Sequence, residues 1–338
     1  MPHIETDFSL KPYNTFGLAV NAKWFLSIES EEDMRNFLID NGPHGREILI
    51  LGGGSNVLFT QDFEGIVLHN RIQGREVIRE TDDHVWVKLG AGENWHQSVR
   101  YTIDQGWGGI ENLSLIPGSV GAAPIQNIGA YGVEVKDVFD HLEAIHLDTG
   151  VIHSFDRAAC EFGYRDSIFK RDAKGSFMIT RVVLKLAKQP VLNTSYGAIS
   201  QELAKRSDAP TIRSVSEVVC EIRSSKLPDP AQIGNAGSFF KNPVVSQELF
   251  QAIQQKHPQA PHYPQSDGQI KVPAGWLIQT AGFKGMNRGT YGVHDRQALV
   301  LVNYGGASGQ EIFNLSTEIR QAVHDQFGIW LEREVNII

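Results

Sequence analysis

The chain has 338 residues, 41% apolar and 21% charged, with 33 glycines, two cysteines and a formal charge of −8. That length holds two or three domains of roughly 100–150 residues and a sizeable core, and the acidic balance argues against a general nucleic-acid binder, whose footprint is a basic excess. Cys160 and Cys220 cannot build a disulfide framework, nor a zinc site by themselves, and no apolar run approaches the ~18 residues of a membrane span. The opening Met1-Pro-His-Ile-Glu-Thr-Asp7 lacks the basic and apolar regions of a signal peptide, so a soluble cytoplasmic protein is expected.

In chain order, Ser30-Glu-Glu-Asp33 reads as a capping box ahead of Met34, Phe37 and Leu38 at helical spacing. Glu47–Leu51 reads as a strand running into Gly52-Gly-Gly-Ser-Asn56, with Val57–Phe59 as a second short strand. Val85–Leu89 alternates weakly and ends at Gly90-Ala-Gly92, after which Asn94 caps a helix through Gln105. Val138–Leu147 and Val151–Phe155 flank Asp148-Thr-Gly150, a hairpin signal, and Phe177–Leu186 is another strand. Ser214-Val-Ser-Glu217 reads as a capping box ahead of Val218, Val219 and Ile222, in a helix stopped by Pro228 and Pro230 at a domain boundary. The pattern then predicts a helix near Gln247–Lys256 and a strand over Ala298–Asn303. A long helix capped by Ser308-Gly-Gln-Glu311 follows, with Ile312, Leu315, Ile319 and Val323 on one face and Gly328 at its stop. Ile329–Ile338 is read as a final strand. The sum is an α+β protein of about three lobes.

Glycine is the compositional anomaly. Fourteen of the 33 glycines lie between Gly52 and Gly132, about a quarter of the chain that also holds well-patterned strands, so close backbone approach explains them better than disorder. The familiar nucleotide motifs are absent: Gly90-Ala-Gly92 has Trp95 where a third glycine belongs, and there is no phosphate loop of the G-x-x-x-x-G-K type. The twelve histidines show no H-x-x-x-H or H-x-H pair, so no metal site is expected. Three segments carry chemistry. Gly52-Gly53-Gly54 after a strand can aim successive N–H groups at a phosphate, with Ser55 and Asn56 as added donors, or can be an ordinary tight turn. Ser114–Gly132 is small, uncharged and irregular, suited to wrapping a large planar ligand with Ser119, Gln126 and Asn127 as hydrogen-bonding groups, or to a glycine-rich core crossover. In Gly234-Asn-Ala-Gly-Ser-Phe-Phe-Lys-Asn-Pro243, Ser238 is a proton donor or a plain loop serine; the spacing is not that of a nucleophile elbow.

Taken together with Gly163-Tyr-Arg-Asp-Ser-Ile-Phe169 and Leu331-Glu-Arg-Glu-Val335, these segments resemble the UDP-N-acetylenolpyruvoylglucosamine reductase family in order and over nearly the whole chain. The Tyr196 segment and the length around residues 246–270 resemble its type I branch. The resemblance implies a non-Rossmann FAD-binding fold of the vanillyl-alcohol-oxidase type with a separate C-terminal α+β substrate-binding domain. The division it implies is residues 1–69 plus 330–338, residues 70–227, and residues 228–329 for substrate. It implies non-covalent FAD held by Gly52, Gly53, Gly54, Ser55, Asn56, Pro117, Gly118, Ser119, Gly121, Ala122, Gln126, Asn127, Gly129, Ala130 and Tyr131. NADPH would be co-substrate, and a monomer acting in peptidoglycan precursor synthesis, hence in cell-wall growth, shape and division, is expected.

In that chemistry a hydride adds to the vinyl carbon of UDP-N-acetylglucosamine enolpyruvate and a proton completes the lactyl ether of UDP-N-acetylmuramate. By the resemblance Arg165 binds the substrate carboxylate, Glu334 is the catalytic acid and Ser238 protonates the carbon, polarised by Lys241 or water. Glu332 reads as a solvent-facing residue. Tyr196, Lys226 and Asn242 match the residues that bind the UDP diphosphate. In Gly275-Trp-Leu-Ile-Gln-Thr280 the uridine-side glutamine of the family falls on Thr280, with Gln279 one place early. Two rivals are an oxygen-using flavin oxidase, which would lack the Gly-Asn-Ala-Gly-Ser segment and Glu334, and a silent nucleotide-sugar binder, which would have lost Arg165, Ser238 or Glu334.

Overall fold

The computed structural model describes residues 3–40, 42 and 45–338; Met1 and Pro2 of the opening stretch lie outside the described residues. In order come β1 (Glu5–Ser9), β2 (Asn21–Ile28), α1 (Glu31–Asp40), β3 (Ile48–Leu51), β4 (Val57–Leu58), β5 (Phe63–Asn70), β6 (Arg75–Glu80), β7 (His84–Gly90) and α2 (Trp95–Asp104). Next are β8 (Gly129–Ala130), β9 (Val133–Glu134), β10 (Phe139–His146), β11 (Ile152–Asp156), β12 (Phe177–Ala187), α3 (Gly197–Leu203) and α4 (Ile212–Lys226). The remainder is β13 (Gly234–Ser238), β14 (Val244–Val245), α5 (Gln247–Lys256), β15 (Tyr263–Pro264), β16 (Ile270–Lys271), α6 (Ala274–Thr280), β17 (Tyr291–Val293), β18 (Val300–Asn303), α7 (Gly309–Phe327) and β19 (Asn336–Ile337). These elements form two compact units. The first takes the chain through Phe8, Ala22–Gly54 and Glu64–Ser225; the second takes Ser9–Asn21, Ser55–Phe63 and Lys226–Ile338.

In the first unit a five-stranded antiparallel sheet runs β11-β10-β12-β7-β6. Val85, Val87 and Leu89 of β7 and Val182, Leu184 and Leu186 of β12 recur every second residue, so each trio lines one face. That face is covered by Trp95, Val99 and Ile103, one stripe of α2 at four-residue spacing. Full burial of each aliphatic side chain contributes about 2 kcal/mol. Asn94 caps α2 as its position predicts, its Oδ1 accepting from Gln97 N–H at 3.0 Å. A second sheet, β1-β2-β5-β3, pairs β3 with β5 in parallel. Its Leu26, Ile28, Ile66 and Leu68 share a core with Met34 and Phe37 of α1 and with Ile145 and Met178 of the larger sheet. The hairpin at Asp148-Thr-Gly150 forms as expected, with Gly150 at φ +69° and its N–H bonded to His146 O at 2.8 Å.

Two local expectations need correcting. The helix expected from Ser214 starts earlier, at Ile212, because Thr211 and Ser214 cap each other: Ser214 Oγ accepts from Thr211 N–H at 2.8 Å and Thr211 Oγ1 from Ser214 N–H at 3.1 Å. At Ser30 the serine accepts from Asp33 N–H, but Asp33 reaches back to Glu29 N–H, one residue before a capping box would place it.

The second unit is built on the sheet β13-β18-β17. α7 buries Ile312, Leu315, Ile319, Val323 and Phe327 along one stripe, opens with a full capping box at Ser308 and Glu311, and stops at Gly328 in the left-handed conformation. A small sheet β14-β16-β15 lies beyond. The expected strand over Ile329–Ile338 is largely absent: only Asn336 and Ile337 form one, pairing in parallel with Val57 and Leu58. The segment changes partner along its length, from residues 239–241 to β4. Thr60 closes the pair, its N–H and Oγ1 both donating to Ile338 O at 2.8 and 2.9 Å.

Candidate active site

In the first unit, the Gly52–Gly54 loop follows β3 and packs on the second glycine-rich segment. A Cβ at Gly53 would stand 2.9 Å from Gly118 Cα, and one at Gly52 would stand 2.2 Å from Ser119 Oγ. The segment is fixed from the other side by Gly118 O, which accepts from Trp95 N–H at 3.0 Å, and by Val120 N–H, which donates to Glu93 O at 2.9 Å. Gly121 lies where a Cβ would meet Ala91 Cβ at 2.6 Å. Two loops thus meet closely, main chain against main chain at Gly53 and Gly118. Ser55 and Asn56 belong to the second unit, where Asn56 Nδ2 donates to Glu334 O at 3.2 Å.

Backbone strain concentrates here. Of six described non-glycine residues with positive φ, four are Leu115 (+57°), Asn127 (+42°), Tyr131 (+50°) and Arg165 (+54°). Each such residue costs about 1–3 kcal/mol, and such outliers gather at functional sites. Asn127 is fully buried and its amide serves the loop itself, donating to Glu134 Oε2 and Gly163 O and accepting from Lys136 N–H. Arg165 donates from Nη2 to Gly129 O at 2.5 Å, and Gly129 has no room for a Cβ beside Arg165 Nη1. Tyr131 meets Tyr196 edge to face, ring centroids 5.3 Å apart. The Tyr196 segment is held on this loop by Asn193 Nδ2 donating to Gly132 O, while Asn112 Nδ2 donates to both Asn193 O and Tyr131 O.

Arg223 is a residue that sequence reasoning passed over. Its Nε donates to Leu115 O at 3.2 Å. Burial pulls its pKa below the usual guanidinium range and the charge of Arg165 pulls the same way, against Tyr131 and Cys220. Arg223 therefore lies close enough to Arg165 for the two cations to feel each other. The available signal was its place one helical turn before Lys226, the last residue of α4.

In the second unit, Ser238 ends β13 opposite Val300, and Phe239 N–H donates to Leu299 O. Residues 239–241 then run antiparallel to 332–334: Glu334 N–H donates to Phe239 O at 2.9 Å, Phe240 bridges Arg333, and Lys241 N–H donates to Glu332 O at 2.9 Å. This ladder sets Glu334 beside the residue that follows Ser238. Phe239 and Phe240 are buried anchors, and Gly237 N–H turns onto Asn235 Oδ1. The two glutamates differ as expected: Glu332 is exposed and ion-paired to Lys241 Nζ at 2.5 Å, whereas Glu334 is half-buried. That pair engages Lys241, the group expected to polarise Ser238. Asn242 Oδ1 accepts from Ala274 N–H at the start of α6. Thr280, half-buried, is the last residue of that helix, with Gln279 exposed before it.

Known proteins resemble the chain over nearly its full length. The FAD binding domain family matches residues 22–156, and the C-terminal domain of UDP-N-acetylenolpyruvoylglucosamine reductase matches residues 229–338. The chain is 51% identical over 337 residues to UDP-N-acetylenolpyruvoylglucosamine reductase of Flavobacterium johnsoniae, covering 99% of each. It is 52% identical to that of an Azoarcus species, covering 98% of this chain and 96% of the relative. Among solved structures, UDP-N-acetylenolpyruvylglucosamine reductase from Thermus caldophilus superposes with TM-score 0.70 at 22% identity, covering 100% and 99% of the two chains. A 4-ethylphenol oxidase from Gulosibacter chungangensis superposes with TM-score 0.53 at 12% identity, covering 99% and 86%, a likeness of fold alone. The fold is therefore the non-Rossmann, vanillyl-alcohol-oxidase type of FAD-binding fold, followed by a separate C-terminal α+β domain. FAD is the cofactor, and the side-chain-free approach of Gly53 to Gly118 suits a large planar ligand with a pyrophosphate. With about half its residues shared over nearly its full length with these reductases, and with both domains matched in its own sequence, the chain belongs to the UDP-N-acetylenolpyruvoylglucosamine reductase family.

Proposed function

We propose that the chain uses NADPH to reduce UDP-N-acetylglucosamine enolpyruvate to UDP-N-acetylmuramate, as a cytoplasmic monomer supplying peptidoglycan precursors for cell-wall growth, shape and division. Bound FAD would supply the hydride chemistry that links the nicotinamide to the vinyl carbon. Gly52–Asn56 and the loop from Pro117 to Tyr131 would hold it, glycine-rich backbone of this kind being suited to a pyrophosphate. Residues 1–69 with 330–338 and residues 70–227 make the two cofactor-binding parts, and 228–329 the substrate part.

The protein's own groups handle charge and protons. Hydride addition leaves negative charge on the carbon bearing the carboxylate, delocalised onto its oxygens. Arg165 takes that carboxylate with its planar fork. Glu334, as the protonated acid, donates a hydrogen bond to the developing oxyanion. Ser238 passes its proton to the carbon and recovers one from solvent. Tyr196, Lys226 and Asn242 bind the diphosphate, and Thr280 lies toward the uridine.

The observation that supports this reading is the Glu334–Phe239 backbone bond, which pairs the proposed acid with the residue that follows the proposed proton donor. The test is anaerobic. Purified protein is yellow, NADPH bleaches it, and the enolpyruvyl sugar restores the oxidised spectrum. A flavin that NADPH bleaches but the sugar leaves reduced overturns the substrate assignment; a protein that refuses FAD overturns the whole reading.

A further inference from the structure

Leu115 opens the second glycine-rich loop in a conformation an L-residue rarely adopts, φ +57°. Both of its peptide groups are held by side chains from flanking helices. His96 of α2 accepts the Leu115 N–H at Nδ1, 2.9 Å away, and Arg223 of α4 donates from Nε to the Leu115 carbonyl at 3.2 Å. Ser114, just before it, bonds from Oγ to Glu111 O and meets Ser216 Oγ of α4 at 2.7 Å. The strained turn that precedes Pro117, Gly118 and Ser119 therefore hangs on three side-chain contacts.

A backbone N–H can only donate, so Nδ1 of His96 carries no proton in this arrangement. Protonating the ring would set one donor against another and leave the Leu115 N–H without its acceptor. The charged groups acting on the imidazole are Arg100, one turn further along α2, and Arg223 of α4, both cationic. Around Arg223 lie Tyr131, Cys220 and Arg165, of which Arg165 carries charge at neutral pH.

We propose that His96 is a positioning residue for the cofactor: through Leu115 it holds the loop that grips FAD, and its protonation releases that grip. This rests on the reading of Pro117–Ser119 as a flavin contact. His96 has no assigned part in hydride or proton transfer; it acts on affinity, so acid conditions loosen FAD without touching Ser238 or Glu334.

The experiment uses the holoprotein, His96→Asn and His96→Phe. Asparagine keeps an acceptor where Nδ1 stands and cannot titrate; phenylalanine keeps the ring's bulk without an acceptor. Two readouts are taken from pH 8 to pH 5: the FAD dissociation constant by recovery of flavin fluorescence, and deuterium uptake of peptides spanning residues 112–120, corrected for intrinsic exchange. Burial, Arg100 and Arg223 lower the His96 pKa, so the wild type loosens FAD toward the acid end of this range, approaching the roughly tenfold effect of one lost hydrogen bond with an orphaned donor, and uptake rises in parallel. His96→Asn is flat in both, and His96→Phe is weak and rapidly exchanging at every pH. A wild type and His96→Asn that share one pH profile overturn the proposal. Uptake that follows His96 while FAD affinity does not move overturns instead the reading of this loop as a flavin contact, and with it the effect on affinity.

Discussion

Gly53 and Gly118 meet backbone to backbone, 65 positions apart in sequence, with 2.9 Å from a Cβ at the first to the Cα of the second. The obstacle is main chain and cannot rotate away. Gly53→Ala is therefore expected to weaken FAD binding at least tenfold and to lower the melting temperature. Gly52→Ala meets a serine hydroxyl, Ser119 Oγ, which can swing aside, so its loss is smaller. Flavin fluorescence titration of the two variants checks the order; equal effects would show that the backbone approach is not what forms the cradle.

Ser238 and the two glutamates separate by half-reaction. Ser238→Ala and Glu334→Gln leave the bleaching of FAD by NADPH intact and slow sugar reduction by about 10²–10⁴, the usual share of a positioned acid. Glu332 is exposed and tied to Lys241, so Glu332→Gln changes neither half-reaction by more than a few-fold. Stopped-flow absorbance of the flavin follows both. A Glu332→Gln as damaged as Glu334→Gln would overturn the assignment of the acid.

Glu93 holds the five-stranded sheet near the same loop. Its carboxylate, 8% exposed, accepts from Arg75 Nη2 at 2.7 Å, Arg75 Nε at 3.0 Å and Gly74 N–H at 2.9 Å. Glu93→Ala orphans a partly buried guanidinium and is expected to cost about 3 kcal/mol in urea unfolding. Glu64→Ala breaks an exposed pair with Lys23 and costs less than about 0.5 kcal/mol.

His69 gives the fold an acid limit. Burial, and then the neighbouring charge of Arg71, lower its pKa from 6.5 to about 4. The unfolded chain takes up a proton below pH 6.5 while the folded chain stays neutral until about pH 4. That group's contribution is complete above pH 6.5 and is lost as pH falls toward 4. The melting temperature should decline over this window, and His69→Gln should flatten the decline. An unchanged slope would assign the acid sensitivity elsewhere.

Local chemistry was legible in the sequence where a few adjacent residues decide the outcome. Asn94 and Ser308 cap their helices because the acceptor and its N–H lie within one turn. The site motifs were legible as motifs, but their meeting was not: Gly53 against Gly118, or residues 239–241 against 332–334, depends on strand pairing across long stretches of chain. The positive φ at Leu115, Tyr131 and Arg165 had no sequence signal, since glycine is the residue that announces that conformation. Tertiary contacts impose it, as the grips on Leu115 from His96 and Arg223 illustrate.

The pairing of Thr60 with Ile338, 278 residues later, sets a timetable for synthesis. Val57–Leu58 and the residues around them leave the ribosome early and have no lasting β partner until Asn336 and Ile337 arrive. At about 5–20 residues per second that wait is on the order of half a minute. Through it, the first unit can mature while the segment from Ser55 to Phe63 waits for its C-terminal partners.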